Sequence, residues 1–361
     1  MERPPKYLAS RWSAVDPKGI SLARQVSNAI VSRIGRLSES IIGVKTRNPL
    51  GKVKVLMPFF GGFPDWFWLY LTTCRHNPCV EWHFFSEQAP QEERPPNVHH
   101  TCLTVPEFNE LARQKLGVAV NFERAFKVCD FRPAFGVIFD DFLKDYDYWA
   151  WGDADLFFGD LQEGLSRIKF AERDIVSVRS EFLSGELTFL KNSEQVNQLY
   201  RHSRDWKKIF ESKLGHDFEE AGHFKDRPID SFTDVAVRAH VRDGLNLFLG
   251  DLGHNDRKNP PLTLKLRWKQ GKLWDRNTGL PSLLYHFLDL KKDEGFEMPS
   301  KPFELSGGMD IDCHGIRPAS DENPSRLRII PAAEDYTRRW WRKKRAIRGL
   351  RKTALAKGQN P

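Results

Sequence analysis

The sequence predicts an α/β domain, a mostly parallel sheet flanked by helices, with basic extensions at both ends. Two observations carry this. From residue 52 onward, short apolar runs alternate with stretches of helical periodicity across short connections, the pattern of successive βα units. Within that series the run 147–151 is too uniformly apolar for a strand with one wet face, which places it at the centre of a sheet covered on both sides. A chain of 361 residues is long enough to bury such a core.

The elements follow in order. Residues 52–60 read as a first buried strand, ended by the turn residues Gly61-Gly62-Phe63-Pro64 and followed by an aromatic helix over 65–75. Strands are expected at 80–85 and 98–103, then a helix over 106–116 with proline at a permitted first-turn position. A helix over 131–143 leads to the central strand at 147–151. Two more strands, at 174–179 and 186–191, precede a long helix over 193–211. A hairpin is expected around Gln270-Gly271 and an extended segment over 283–288. Ahead of the body, Leu22, Val26, Ile30, Ile34 and Leu37 recur at helical spacing, so 21–44 reads as an amphipathic helix. The resulting division is a basic N-terminal extension at 1–50, a catalytic-type α/β domain at 51–295, a C-terminal extension at 296–337 and a basic tail at 338–361.

Charge is unevenly placed. The formal net charge of +8 is the sum of two basic ends and an acidic body. A protein that grips nucleic acid through its folded body would spread basic charge over that body, so no specific nucleic acid is expected. The five cysteines are scattered, with no CxxC pair, which argues against a zinc site and for a reduced chain. Residues 1–12 hold no apolar signal core and no run approaches the length of a membrane span. The expectation is a cytoplasmic protein, free or peripheral on the inner face of the cell membrane.

The strongest chemical feature is Trp149-Ala-Trp-Gly-Asp153-Ala-Asp155. A buried strand delivers two carboxylates, at i and i+2, to the carboxyl end of a parallel sheet, where open α/β sheets bind ligands. Two hard oxygen donors there suit Mg2+ or Mn2+, with diphosphate oxygens completing the shell. Solvated surface aspartates are the alternative, against which stand the apolar strand before the pair and Leu156-Phe-Phe after it. Tyr285-His286-Phe287 could add an imidazole ligand, or His286 could be a packed core histidine. Lys291 or Lys292 could meet a phosphate as a point charge or remain solvated.

These residues carry a resemblance. Met57-Pro-Phe-Phe-Gly-Gly-Phe-Pro64, Lys127-Val-Cys-Asp-Phe-Arg-Pro-Ala-Phe-Gly136, Tyr148-Trp-Ala-Trp-Gly-Asp-Ala-Asp155 with Phe158-Gly-Asp160, and Tyr285-His-Phe287 resemble, in order and spacing, a family of bacterial polysaccharide (capsule or exopolysaccharide) glycosyltransferases with a GT-A, Rossmann-like fold. The resemblance spans about residues 52–292. It implies a nucleotide-sugar donor, foremost a UDP-sugar, lying over the first strand, with Pro58, Phe59, Phe60 and Gly61 in its binding loop. It implies that Asp153, Asp155 and His286 hold Mn2+ or Mg2+, and that Lys127, Asp130, Arg132 and Lys291 lie near the donor. The acceptor would be a glycan or a lipid-linked saccharide. Gly61-Gly62 departs from the family's more usual single glycine.

Sugar transfer with inversion needs a general base opposite the leaving diphosphate. Glu219, Glu220, Asp230 and Asp234 are the candidates, with Asp230 the choice, although it could instead cap the helix that follows. Ser184-Gly185-Glu186 is placed to line an acceptor pocket or to form a plain turn. The tail, with adjacent Trp340 and Trp341 among arginines and lysines, suits an anionic membrane surface. Two other functions fit parts of the pattern: metal-dependent phosphoryl transfer, which paired carboxylates also serve, and a non-catalytic binding protein acting through its basic ends.

Overall fold

The computed structural model describes residues 49–319, except 221–222, 225–226, 257–262, 293 and 301; at 223–224 and 227–228 it describes the backbone. The helix expected at 21–44 and the basic tail lie outside the described residues.

The chain opens with β1 (Val53–Pro58), α1 (Phe67–Arg75), β2 (Val80–Ser86), β3 (Val98–Cys102) and α2 (Val105–Leu116). Each strand pairs in parallel with its neighbour, and β1 also pairs in parallel with β4 (Tyr148–Gly152), the expected central strand. Beyond β4 the sheet continues through β7 (Leu187–Lys191), β6 (Ile175–Ser177) and β10 (Leu247–Leu249), giving the order β10-β6-β7-β4-β1-β2-β3. β7 runs antiparallel to both of its neighbours, so the sheet is mostly parallel, as the sequence predicts.

Period-two alternation divides the sheet between two cores. Leu56, Trp149 and Trp151 face one side, against α2 and α7 (Phe232–Asp243). Val55, Met57 and Ala150 face the other, against α1 and α4 (Leu161–Arg167). The two β4 indoles keep their hydrogen bonds: Trp149 donates to Asn197 Oδ1 (2.7 Å) and Trp151 to the Ser184 carbonyl (2.8 Å). Local signals fix the two longest helices among the described residues. α2 begins in a Thr104/Glu107 capping box and ends at Gly117 in the left-handed region. α7 begins in a Ser231/Asp234 box and ends at left-handed Gly244.

β8 (His223–Phe224) and β9 (Arg227–Pro228) pair with each other, antiparallel, and two smaller sheets flank the main one. β5 (Leu156–Phe158), β14 (Leu284–His286) and β11 (His254–Asn255) form one of them. β12 (Lys265–Lys269), β13 (Lys272–Asp275), β15 (Met309–Asp312) and β16 (Gly315–Pro318) form the other, antiparallel throughout in the order β13-β12-β15-β16. The hairpin at Gln270-Gly271 is present, with both residues at positive φ (49° and 79°), as a two-residue turn of this hand requires. The boundary expected at residue 295 falls inside this sheet, because β15 pairs directly with β12.

Two expected helices are broken. In place of 131–143 stand a 3-10 segment over Ala125–Ala134, the single turn α3 (Phe135–Ile138) and a 3-10 turn over Asp140–Phe142. Pro133 has no N–H to donate and crowds the preceding turn. In place of 193–211 stand α5 (Glu194–Asn197), a 3-10 turn over Leu199–His202 and α6 (Trp206–Glu211). Tertiary bonds to Asp230 set the break: Ser203 Oγ donates to its carbonyl (2.5 Å), Arg204 N to its carboxylate (2.9 Å), and Asp205 Oδ2 accepts its N–H (2.8 Å). All five cysteines are free. Among the described residues no helix is long and apolar enough to cross a membrane.

Candidate metal and donor site

β4 leaves the sheet at Gly152, and the next residues are Asp153 and Asp155. Two pairings fix their surroundings. On one side Asp153 N donates to the Glu186 carbonyl (3.0 Å), at the start of β7. On the other, β5 pairs with β14 so that His286 lies opposite Leu156, and Phe287 N reaches the Asp155 carbonyl (3.3 Å). Residues separated by 131 positions thus meet: His286 Nε2 is 3.1 Å from Asp155 Oδ1 and 3.8 Å from Asp153 Oδ2.

One ligand atom from each of Asp153, Asp155 and His286 lies within 4.8 Å of the others. A divalent ion with bonds of about 2.1 Å needs its ligand atoms about 3–4 Å apart, so small side-chain shifts would close the group around Mg2+ or Mn2+. Two carboxylates and an imidazole are a donor set that Mn2+ accepts.

Cations surround the pair. Arg132 donates to Asp153 Oδ1 (2.5 Å) and to Glu219 Oε1 (2.8 Å), while Lys291 donates to Asp155. Burial raises the Asp153 carboxyl above its ordinary pKa; Arg132 opposes that shift and the Asp155 charge adds to it. Burial would also raise Asp155, but His286 and Lys291 outweigh it and hold that carboxyl well below the usual range. Burial works against a charged His286, yet Asp155, Glu186 and Asp153 push it up to about 10. The pocket of acids draws positive charge strongly.

A cavity of about 520 Å3 opens in front of the carboxylates, within the range of small-molecule sites. Pro58, at the end of β1, and Phe59 and Phe60, from the loop after it, line it together with Arg132, Asp153, Asp155 and Lys291. Gly61 is exposed at φ 129°, a conformation only glycine adopts freely, and it is Gly62 that joins the lining. His286 sits behind the carboxylates, 2 % exposed.

Three expected site residues are placed elsewhere. Lys127 and Asp130 are buried and bind each other (2.7 Å). Lys127 also donates to the Ile209 carbonyl (2.6 Å), and Asp130 accepts the N–H groups of His216 and Phe218. They tie the 212–218 loop to the 3-10 segment instead of facing the cavity. Asp230, the candidate base, holds both Arg238 nitrogens (2.6 and 3.0 Å) and the Arg204 N–H, and does not line the cavity. The α7 cap is its neighbour Ser231.

The structure also adds residues that the sequence did not single out for these roles. Glu186, expected at an acceptor pocket or turn, is 8 % exposed and faces His286 Nδ1 at 3.1 Å. Asp256 accepts the N–H groups of Asp289 and Leu290 (2.8 and 2.7 Å), fixing the turn that carries Lys291. Glu219 and Glu220, both among the base candidates the sequence offers, converge with Arg132 around Gly185, whose N–H donates to Glu220 Oε1 (2.9 Å). Burial raises both carboxyls, Glu219 to about 8. No periodicity or motif marks Glu186; its role arises from the register that sets Leu187 against Gly152.

No curated protein matches the sequence. Among solved structures the chain is similar to mouse xyloside xylosyltransferase 1, apo form, at 11 % identity. The match covers 56 % of this chain and 86 % of that one, with a TM-score of 0.35, a likeness too slight to carry substrate or mechanism. A family model matches residues 55–280, a span that holds Asp153, Asp155, Arg132 and Glu186 and stops short of His286 and Lys291. With well over half of its length matched, the chain belongs to the family described as "Family of unknown function (DUF6625)".

Proposed function

We propose that the chain is a metal-dependent glycosyltransferase that moves a sugar from a nucleotide-sugar donor, a UDP-sugar foremost, to a saccharide or lipid-linked acceptor of a bacterial surface polysaccharide. One observation carries this: Asp153, Asp155 and His286 gather at the carboxyl end of β4, at the wall of a cavity that two phenylalanines of the β1 loop and two cations also line. Mn2+ or Mg2+ held there would neutralise charge on a departing diphosphate. Phe59 and Phe60 offer ring faces to a nucleobase, and Arg132 and Lys291 offer donors to phosphate oxygens. Glu220 replaces Asp230 as candidate base, because its carboxyl lies by Gly185 and Arg132, where burial raises its pKa, whereas the Asp230 oxygens are taken by Arg238 and the Arg204 N–H. Inversion and retention both remain compatible with these residues.

The test is nucleotide-sugar binding and turnover with and without Mn2+, on wild type and Asp155→Asn, across UDP-, GDP- and CDP-sugars. Metal-dependent release of one nucleotide, lost in the variant, is expected. Phosphodiester cleavage without sugar transfer would instead favour phosphoryl transfer, since the same acids and cations suit that chemistry.

The tail at 338–361 is assigned to the anionic cytoplasmic face of a membrane, each basic residue near the surface contributing about 1 kcal/mol. Truncation at Thr337 should abolish co-sedimentation with phosphatidylglycerol vesicles. Unchanged sedimentation removes this assignment.

A further inference from the structure

Behind His286 lies a chain of buried charge that the donor reaction itself does not use. Glu186 Oε1 lies 3.1 Å from His286 Nδ1 and also accepts from Asn255 Nδ2 (2.8 Å). Its other oxygen pairs with the Arg179 guanidinium, whose Nη1 donates to the Gly253 carbonyl (3.0 Å). Side chains of Arg179, Glu186 and His286 are 1 %, 10 % and 2 % exposed, so water does not compete for these contacts.

We propose that Glu186, braced by Arg179 and Asn255, is a positioning residue that fixes the imidazole of His286 for a divalent cation. The proposal rests on the metal-site assignment above. An imidazole can ligate only through a nitrogen without a proton, and the partner of its other nitrogen decides which one that is. Here the Glu186 carboxylate lies 3.1 Å from Nδ1, so that with a cation bound the remaining proton would sit on Nδ1 facing Glu186, and Nε2, which faces Asp155 and Asp153, would give up its proton to ligate. The same contact sets the ring plane, and an ionised acceptor makes the imidazole a stronger donor to a cation. Arg179 keeps Glu186 ionised and in place, since an unpaired carboxylate at this depth would be costly to keep charged.

The arrangement also explains why the turn before β7 matters to the site. The β4–β7 register puts the Glu186 backbone against Asp153 and sends its side chain under the aspartates toward β14. One residue therefore contacts both halves of the ligand group, by its carbonyl on one side and its carboxylate on the other.

The test is Mn2+ titration of the full chain, followed by the electron paramagnetic resonance signal of free Mn2+, on wild type, Glu186→Gln, Glu186→Leu and Asp155→Asn. Glu186→Leu should bind Mn2+ 10- to 100-fold more weakly, the usual effect of losing such a partner. Glu186→Gln should recover most of the affinity, because its amide oxygen still accepts from Nδ1–H. Wild-type affinity in Glu186→Leu, with binding lost in Asp155→Asn, would overturn the proposal and leave the metal site standing. Absence of Mn2+ binding in wild type would overturn both. Should Glu186→Leu not fold, nitrogen-15 NMR of His286 in the Mg2+-loaded wild type decides: a proton on Nδ1 supports the role and a proton on Nε2 removes it.

Discussion

Asp230 shows how a carboxylate can carry the marks of a catalytic group and do structural work. It precedes a helix in an acidic stretch, as a base might, but its oxygens are taken by Arg238 and the Arg204 N–H, and its backbone anchors the 203–205 break. Burial alone would raise its pKa, but Arg238 and Arg204 outweigh burial and lower it. A carboxyl with a depressed folded-state pKa contributes stability above its unfolded value, near 4, and loses that contribution as pH falls through the folded value. Asp230→Asn should therefore lose about 1–2 kcal/mol at neutral pH, the low end because Arg238 is partly solvated, and show a shallower acid limb below pH 4. Urea denaturation from pH 3 to 7 checks this. Glu220→Gln should do the reverse: stability near wild type, and kcat lower by about 10²- to 10⁴-fold if Glu220 takes the acceptor proton, with donor affinity kept. Retained turnover in Glu220→Gln would remove the base assignment.

At the scale of elements, strands and turns were legible where the signal is local. The apolar run ending in Gly152 declares a central strand, and Gln270-Gly271 declares a hairpin. The break at 203–205 was not legible, because Ser203 and Arg204 are held by Asp230, which lies some 25 residues ahead, whereas Pro133 marks the other break within the sequence itself. Lys127 and Asp130 were misplaced for a related reason: a charge cluster beside a ligand site does not reveal whether it faces the ligand or, as here, a loop backbone. The Asp153/Asp155 pair was legible from its strand, and His286 from the residues around it, whereas Glu186 depends on a cross-strand register that no spacing encodes. The hairpin yields a clean prediction. Gln270 sits at φ 49°, where a side chain is strained, with Gly271 beside it at φ 79°. Gln270→Gly should stabilise the protein by about 0.5–1 kcal/mol, relief of left-handed strain outweighing the added unfolded-state entropy. Gly271→Ala should destabilise it, since a Cβ there would lie 3.0 Å from His76 Cβ. Thermal denaturation of the two variants, read together, checks both signs.

On the scale of the whole molecule, the candidate ligands belong to different sheets: Asp153 and Asp155 follow β4 of the main sheet, while His286 ends β14 of the three-stranded one. A cation bound by all three would join two sheets that are also linked near this point by the His286–Asp155 contact and by the contacts of Glu186 with His286 and Asn255. Anything that binds the folded chain and not the unfolded one stabilises by mass action, about 2.7 kcal/mol at 100 times the dissociation constant. For a body of this size each kcal/mol moves Tm by about 2–4 °C. Saturating Mn2+ should therefore raise Tm by about 5 °C or more, and EDTA should reverse the rise. Because the body, unlike the two ends, is acidic, Mn2+ could also bind loosely at surface carboxylates, and that contribution would be similar in every variant. The discriminating measurement is the difference between proteins: the Mn2+ shift should vanish in Asp155→Asn and shrink in Glu186→Leu. An equal shift in all three would place the binding on the acidic surface, and the two-sheet junction would have no part in it.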